Sequence, residues 1–461
     1  MHRLISALLL AVLLLQGPVS AVAATPANQP SGADVAAAYA QNVVIPTYSL
    51  LAQRLGELRG QIGTLRQSPT DANLQAAQAA WLAARQPWEW SESFLFGPVS
   101  SMGLDPALDS WPVSQDNLTA VLTGDTPLDA ASVAALEPEV KGFHSVEWIL
   151  FGDRATKQAS ALTPRELLYA ELVTDEMAGI GQTLVQAWTI GVDGEEAFGP
   201  ILSSAGPANA LYSSQTAVVE ELLVGIVDIL NEVAEEKIGL PLDNRDPSLA
   251  ESWYSQTSID DYRNNVRGAL QAYNGSLPDA TATVSLKALV QATDPALDTE
   301  ITAGFTRTLA ALDAIPAPFE QSVLQPSTSV QARAARNAAA DLADLMDNEA
   351  YAVLVGEREQ PDVAVVDQLT ELAVAIDEAS AAITAGDITT AKASYTRFDD
   401  GWGDVEAGVR SKSRDRYREI ESAIAEVRSA LLRPAAPDAQ AAGAALTRLR
   451  QTIDTALPDL R

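Results

Sequence analysis

Apolar residues along most of the chain recur at intervals of three and four positions. This spacing places them on one face of an α-helix, and the alternating runs that are typical of strands are absent. The pattern therefore predicts an all-α protein. Before residue 356 the predicted helices cover about 33–65, 71–90, 130–152, 163–190, 207–237, 258–273, 296–314 and 328–355.

Two stretches interrupt the helical pattern. Residues 97–128 and 238–257 are rich in Pro, Gly, Asp and Ser. Each is longer than a simple connection, and long loops in compact domains often carry function. Pro46 lies inside the first predicted helix and is expected to kink it.

The C-terminal part has a pattern of its own. A linker sequence at 356–361 precedes four helical patterns at about 362–385, 387–409, 411–431 and 437–457. Short connections predict an antiparallel four-helix bundle over 362–461. One buried stripe is indicated by a 3-4-3-4 spacing of apolar residues, namely Tyr395, Phe398, Trp402, Val405 and Val409.

The N-terminus has the features of a secretory signal peptide. Arg3 precedes an apolar run over 4–15, and small residues follow at 21–23. The run is too short to span a bilayer, and no later segment has an unbroken apolar run long enough to do so. We therefore expect residues 1–24 to be removed. The mature chain is expected in the periplasm or at the extracytoplasmic surface, without a transmembrane segment.

Composition narrows the possible chemistry. The chain has 61 acidic and 30 basic residues and a formal charge of -31, which disfavours nucleic-acid binding and is compatible with metal ions or simply with solubility. It has no cysteine, which excludes disulfides, thiolate catalysis and iron–sulfur clusters. Histidine occurs only at His2 and His144. After export, His144 would be the one imidazole left.

The sharpest motif is Gly142-x-His144-x-x-Glu147. The spacing of His144 and Glu147 places both side chains on one helix face, where they could converge on a metal ion. Gly142 has no side chain and could let another backbone or a ligand come close. The alternative interpretation is a buried histidine that is hydrogen-bonded to its helical neighbour.

An upstream segment combines aromatic and charged residues. Residues 81–98 hold three Trp, two Phe, Arg85, Glu89 and Glu92. Charged groups among buried aromatic rings must be paired or must bind something. We therefore expect His144 and Glu147 to bind one cation, with Glu92 as the third ligand and Asp109, beside Trp111, as the reserve ligand.

These motifs together resemble the imelysin family, over about residues 35–350. That family includes a so-called insulin-cleaving membrane protease and iron-regulated bacterial surface proteins, and it is related to a periplasmic component of ferrous-iron uptake systems. The resemblance rests on Arg85, Pro87, Trp88, Glu92, Phe94, Phe96-Gly97-Pro98, Trp111-Pro112, the Gly142 motif, Glu251-Ser252, Ser255, Asp261, Asn264-Asn265 and Tyr273-x-Gly275.

The resemblance implies a helical domain over 33–355 in two halves, about 33–237 and 238–355, with a functional cleft between them. The motif helix would line that cleft. Residues expected to meet or surround the site are Glu92, His144, Glu147, Glu251, Ser252, Arg85, Glu89, Trp111, Gly142 and Ser255. For Glu251-Ser252 the alternative is an exposed helix start, since serine is a good cap.

The C-terminal bundle resembles the extracytoplasmic helical segment of oxidase-dependent iron permeases. This resemblance rests on the aromatic stripe and on acidic spacing, and it makes Glu406 and Glu421 weaker candidate metal residues. A solvated pair of Glu406 with Arg410 is the alternative. An iron permease is accordingly a candidate partner.

Three functions remain open at this point. The first is an exported protein that binds iron or another divalent or trivalent cation, zinc included, because carboxylates with one imidazole suit such ions. Its cation binding should weaken below about pH 6. The second is a metallopeptidase, which is disfavoured because the helical zinc signature uses two histidines. The third is a module that binds an organic ligand or a partner protein.

Overall fold

A computed structural model describes residues 30–278, 282–356, 364–403, 405–432 and 437–460. Within these ranges every regular element is helical, so the all-α prediction is confirmed. None of the helices in the described ranges is long and apolar enough to cross a membrane. The signal peptide predicted at 1–24 lies outside the described residues.

Long α-helices form the framework of the part before residue 356. They are Ile45–Gln67, Asp71–Ser91, Pro164–Thr189, Gln215–Glu232, Ser258–Asn274, Pro295–Asp313 and Pro326–Leu345. Shorter α-helices are Gly32–Tyr39, Pro98–Ser101, Leu104–Asp109, Gln115–Thr123, Ala130–Ala134, Gly142–Phe151, Phe198–Ser203, Leu240–Asn244, Leu286–Thr293, Phe319–Leu324 and Tyr351–Leu354. Three segments are π-helical, namely Ala40–Val44, Val233–Gly239 and Met346–Ala350. Short 3-10 turns are Glu92–Phe94, Pro138–Val140, Asp153–Ala155, Ala159–Ala161 and Pro247–Leu249.

The core follows directly from the apolar spacing. Helix Ile45–Gln67 packs between Asp71–Ser91 and Pro164–Thr189. Each large apolar side chain that is fully buried contributes roughly 1.5–3 kcal/mol. The buried apolar stripe of helix Ile45–Gln67 consists of Tyr48, Leu51, Leu55, Leu58, Ile62 and Leu65. Such stripes join into one cluster of buried residues that extends from Val35 to Tyr351.

The structure differs from the sequence pattern in three places. Pro46 lies in the first turn of helix Ile45–Gln67, directly after the π-helical segment, where a missing N–H costs little. The long loop at 97–128 contains three short helices. The helix predicted over 130–152 is broken, because Lys141 is extended and Gly142 has a φ of 78°, which other residues rarely adopt.

The C-terminal part has a separate buried cluster, from Val365 to Leu460. The predicted stripe Tyr395 to Val409 is buried there, and the rings of Phe398, Trp402 and Tyr417 stack in sequence. Its helices are Ala364–Ala385, Ile388–Trp402, Glu406–Lys412, Arg414–Val427 and Ala439–Ala456, with a π-helical segment Arg428–Leu432. The second predicted helix is thus interrupted. The antiparallel four-helix arrangement and the domain boundaries stay predictions.

Candidate metal centre

The start of the motif helix lies against the end of helix Leu104–Asp109. A Cβ atom on Gly142 would lie 2.3 Å from the carbonyl oxygen of Leu108, so only glycine permits this approach. The contact brings Asp109 to His144, with Oδ1 of the carboxylate 3.1 Å from Nε2 of the ring. The close backbone approach expected at Gly142 is therefore present.

His144 is fully buried and is held from one side. Its Nδ1 lies 2.8 Å from Oε2 of Glu147. The other oxygen of Glu147 accepts hydrogen bonds of 2.7 Å from both the backbone N–H and the hydroxyl of Ser255. Both carboxylate oxygens of Glu147 are thus engaged, as in the alternative of a hydrogen-bonded pair. The other ring nitrogen, Nε2, makes no well-aligned hydrogen bond in the described part of the chain, and its polar contact there is the ion pair with Asp109.

The charge state of His144 is set by its neighbours. Burial favours the neutral ring, but the negative charge and close contact of Asp109, together with the hydrogen bond to Glu147, outweigh burial and raise the pKa of His144 to about 9. Arg85 acts in the opposite direction with a smaller effect. At neutral pH, when no cation is present, both ring nitrogens therefore carry a proton and the ring is positively charged.

Two groups of potential ligand atoms converge beside this ring. Asp109, His144 and Glu251 offer atoms that all lie within 4.8 Å of one another. Glu89, Glu92, Asp109 and Glu251 form a second group by the same measure. The structure thus brings the reserve ligand Asp109 and the cleft residue Glu251 to His144. Glu92 joins the second group instead, and Glu147 belongs to neither.

Arg85 ties the two groups together. Its guanidinium lies between the rings of Trp81 and Phe143, at 5.8 and 5.2 Å from their centroids. It makes ion pairs with Glu89 and Asp109 and donates a 3.1 Å hydrogen bond to Oε1 of Glu251. Trp81 and Phe143 therefore flank a buried cation, and the acids that pair with this cation account for charged residues among the aromatic ones.

The guanidinium also sets the protonation of these acids. Burial acts to raise the pKa of Asp109, but the charges of Arg85 and His144 outweigh it and hold that pKa well below its usual range. Burial likewise opposes ionisation of Glu251, yet Lys237 and Arg85 lower its pKa. Both acids are consequently ionised and available as ligands at neutral pH.

Lys237 is a site residue that the sequence analysis missed. Its Nζ lies 2.9 Å from both carboxylate oxygens of Glu251 and 3.0 Å from Oε2 of Glu92. The sequence contains a signal for this residue, since Lys237 continues the 3-4-3-4 spacing of four buried apolar residues, namely Leu223, Ile226, Leu230 and Val233. A lysine in such a stripe indicates a buried, paired ammonium.

Helix Ser258–Asn274 provides contacts to two of the acids. Gly268 packs against the backbone of Trp90, where a Cβ atom would lie 2.4 Å from the carbonyl oxygen. Asn265 on this helix donates to Oε2 of Glu89 at 2.7 Å and to Glu92. Ser252 is buried and donates to Asp261, so the exposed helix start considered for Glu251-Ser252 is wrong.

An aromatic wall borders the ring of His144. The ring of Trp111 lies 4.8 Å from it, and Tyr254 contacts Trp111 edge-on at 6.0 Å. A cleft reaches this wall and is lined by residues of both groups, including Glu92, Asp109, Trp111, Lys237, Glu251 and Tyr254. The acids are therefore next to an open path, whereas His144 lies behind them.

Of the two candidate metal residues in the C-terminal part, only Glu406 has a described side chain. Glu406 begins the helix Glu406–Lys412, and the convergent groups found among the described residues do not include it. The side chain of Glu421 lies outside the described residues. A role for either acid stays a prediction.

Comparison with known proteins identifies the family. The family model for imelysin matches residues 44–347, which is about two thirds of the chain. The chain belongs to the imelysin family. The matched range contains every residue of the two convergent groups.

Individual relatives agree with this assignment. Iron-regulated protein A of Synechococcus elongatus is 33% identical over 311 residues, which cover 68% of this chain and 83% of that protein. A crystal structure from Parabacteroides distasonis, solved under the name of an iron-regulated protein A precursor, has a TM-score of 0.66 at 26% identity and covers 71% of this chain and 97% of its own. An imelysin-like protein from Psychrobacter arcticum shares the fold, with a TM-score of 0.55 at 15% identity over 70% of this chain and 98% of its own.

Proposed function

We propose that this imelysin-family protein binds a divalent or trivalent cation through Nε2 of His144 and the carboxylates of Asp109 and Glu251. The observation that carries the proposal is the convergence of ligand atoms of Asp109, His144 and Glu251 within 4.8 Å of one another. Among the described residues the buried Nε2 makes no well-aligned hydrogen bond, and it faces Oδ1 of Asp109 at 3.1 Å. Without a cation, the carboxylate of Asp109 offsets the charge of the protonated ring, and a bound cation would take the place of that proton.

The donor set suits iron or zinc. One imidazole nitrogen with carboxylate oxygens is a ligand set that both ions accept, and it needs no thiolate. Glu147 would act as an orienting residue, because its contact with Nδ1 keeps a proton there and leaves the lone pair on Nε2. Trp88 would orient Asp109 in the same way, since its indole N–H donates to Oδ2 at 2.5 Å.

We further propose that the cation is iron and that the protein serves its uptake, with an iron permease as a partner. The name of the Synechococcus relative, iron-regulated protein A, supports this direction. Hydrolysis of peptides has less support in the site. The hydroxyls of Ser255 and Ser252 donate to Glu147 and Asp261, so neither of these serines is activated by His144 among the described contacts.

Export is part of the same proposal. The apolar run at 4–15 with small residues at 21–23 supports cleavage near Ala24. We expect mass spectrometry of the protein from a periplasmic or surface fraction to find an N-terminus near Ala24. A chain with an intact Met1 in the cytosolic fraction would contradict export.

The affinity for the cation should begin to fall at a higher pH than it would with an ordinary histidine ligand. The pKa of about 9 means that the ring faced by Asp109, Glu147 and Arg85 must lose a proton before Nε2 can bind a cation. Lowering the pH from 8 to 6 should therefore weaken binding by roughly tenfold per pH unit. The onset thus moves upward from the pH 6 expected from the sequence.

Calorimetric titration with Zn²⁺ in buffers of different ionisation enthalpy measures this effect. We expect one cation per chain and release of at least one proton at pH 7. An affinity that is constant between pH 6 and 8, without proton release, would contradict His144 as a ligand. Metal analysis of protein purified without a tag would then show which ion the chain carries.

A further inference from the structure

Lys237 projects from the π-helical segment Val233–Gly239 into a group of acids, and only 6% of its surface is exposed. Besides Glu251 and Glu92, its Nζ lies 3.3 Å from Oε1 of Glu232 and 3.9 Å from Oε2 of Glu89. Carboxylates from four places, namely helix Asp71–Ser91, the turn Glu92–Phe94, helix Gln215–Glu232 and the segment that follows Pro247–Leu249, therefore converge on one ammonium. We refer to Glu89, Glu92, Glu232 and Glu251 as the lysine cage.

The lysine cage has the composition of a metal site. Five oxygens of its four carboxylates lie within 4.0 Å of Nζ of Lys237. Hard metal cations are commonly held by several such oxygens at about 2.0–2.6 Å. Three of these oxygens lie 2.9–3.0 Å from Nζ, which is the length of an ammonium hydrogen bond, and the other two lie at 3.3 and 3.9 Å. Lys237 and the guanidinium of Arg85, which pairs with Glu89 and Glu251, are the two positive charges that face these four acids, so the acids of the cage outnumber its cations.

The lysine cage shares a ligand with the proposed metal centre. Glu251 accepts from Lys237 with both oxygens and also belongs to the group of Asp109 and His144. Asp109 in turn belongs to both convergent groups. Nε2 of His144 is buried, makes no well-aligned hydrogen bond among the described residues, and lies 3.1 Å from Oδ1 of Asp109 in this shared pair. The two cation positions are therefore adjacent, and they are joined by a bridging carboxylate.

We propose that Lys237 is a built-in cation that fills the second position of a two-cation carboxylate site and so limits the protein to one metal ion. The number of ions, and not only their affinity, is then set by this one side chain. The inference rests on the proposed function for the first ion, at His144. The second position does not depend on it, because the lysine cage contains no imidazole.

The test is the number of Zn²⁺ ions bound by the full chain before and after the ammonium is removed. We expect one ion for the parent protein and two for Lys237→Met, which keeps the length of the side chain but not its charge. Lys237→Arg keeps the charge and should still bind one ion. Lys157→Met is the matched control, because Lys157 pairs with Glu166 in the same fold and its loss should add no ion.

A double variant separates this inference from the proposed function. His144→Ala with Lys237→Met should keep one ion, in the lysine cage. If Lys237→Met binds one ion, and that ion is lost on adding His144→Ala, the inference is overturned and the proposed function stands. If the parent protein binds none and Lys237→Met binds one, the proposed function fails and the inference stands.

Folding of Lys237→Met is itself informative. Removing one partner of a buried ion pair leaves uncompensated charge, so the metal-free variant should be less stable than the parent protein. Zn²⁺ should restore its melting temperature toward that of the parent, whereas the same ionic strength of Na⁺ should not. A Lys237→Met protein that remains unstable in saturating Zn²⁺ would overturn the inference.

Discussion

His144→Ala is expected to weaken cation binding by about 100-fold or more, because even residues that only orient metal ligands cost 10–100-fold when they are removed. The reason is specific to this chain. The only other histidine is His2, in the segment expected to be cleaved, so no second imidazole can replace the lost ligand. Calorimetric titration with Zn²⁺, and with Fe²⁺ under anaerobic conditions, measures the loss.

Two further variants make this result interpretable. Glu406→Gln should leave the affinity unchanged if the C-terminal cluster is a separate module, since Glu406 is not part of either convergent group. Glu147→Gln should weaken binding less than His144→Ala does, because Glu147 orients the ring through Nδ1 and is not a ligand in our proposal. If His144→Ala binds both metals as tightly as the parent, the cation site is elsewhere and the His144–Glu147 contact is structural.

Arg85→Leu should destabilise the protein more than any other single substitution considered above. It would leave Glu89, Asp109, Glu251 and Asp261 without the guanidinium that lies among them. Removing one partner from a buried ion pair typically costs about 3–5 kcal/mol, and here one cation serves several acids. Chemical denaturation followed by circular dichroism gives the free energy of unfolding.

The pH dependence of that loss has a definite sign. Asp109 and Glu251 have lowered pKa values in the folded protein, so their ionised forms stabilise it at neutral pH, and this contribution disappears as the pH falls. The deficit of Arg85→Leu should therefore be full at pH 7 and should shrink in acid, where the stranded acids can take up protons. Arg263→Leu is the control, because its partners Asp260 and Asp313 are exposed and such pairs contribute about 0–1 kcal/mol. Equal losses for the two variants at pH 7 would contradict the account of the buried network.

The all-α fold class and the resemblance to the imelysin family follow from local sequence patterns. Apolar residues at intervals of three and four predicted the all-α fold, since burial of one helix face requires that spacing whatever the neighbours are. Gly142, together with the spacing of His144 and Glu147, marked the motif helix, and the wider set of motifs resembled the imelysin family. Each of these signals depends on residues that are close along the chain.

The ligand set that we propose depends on tertiary contacts. His144 and Glu147 are near neighbours on one helix, and for that reason they bond to each other, while Nε2 points to Asp109 and Glu251 from distant segments. The position of Glu251 depends on Arg85 and Lys237, which lie 166 and 14 residues away from it along the chain. Helical spacing determines which side chains share a face. It does not determine which faces meet, because that depends on how close the backbones can approach, as at Gly142, and on how the charges of several buried groups balance one another.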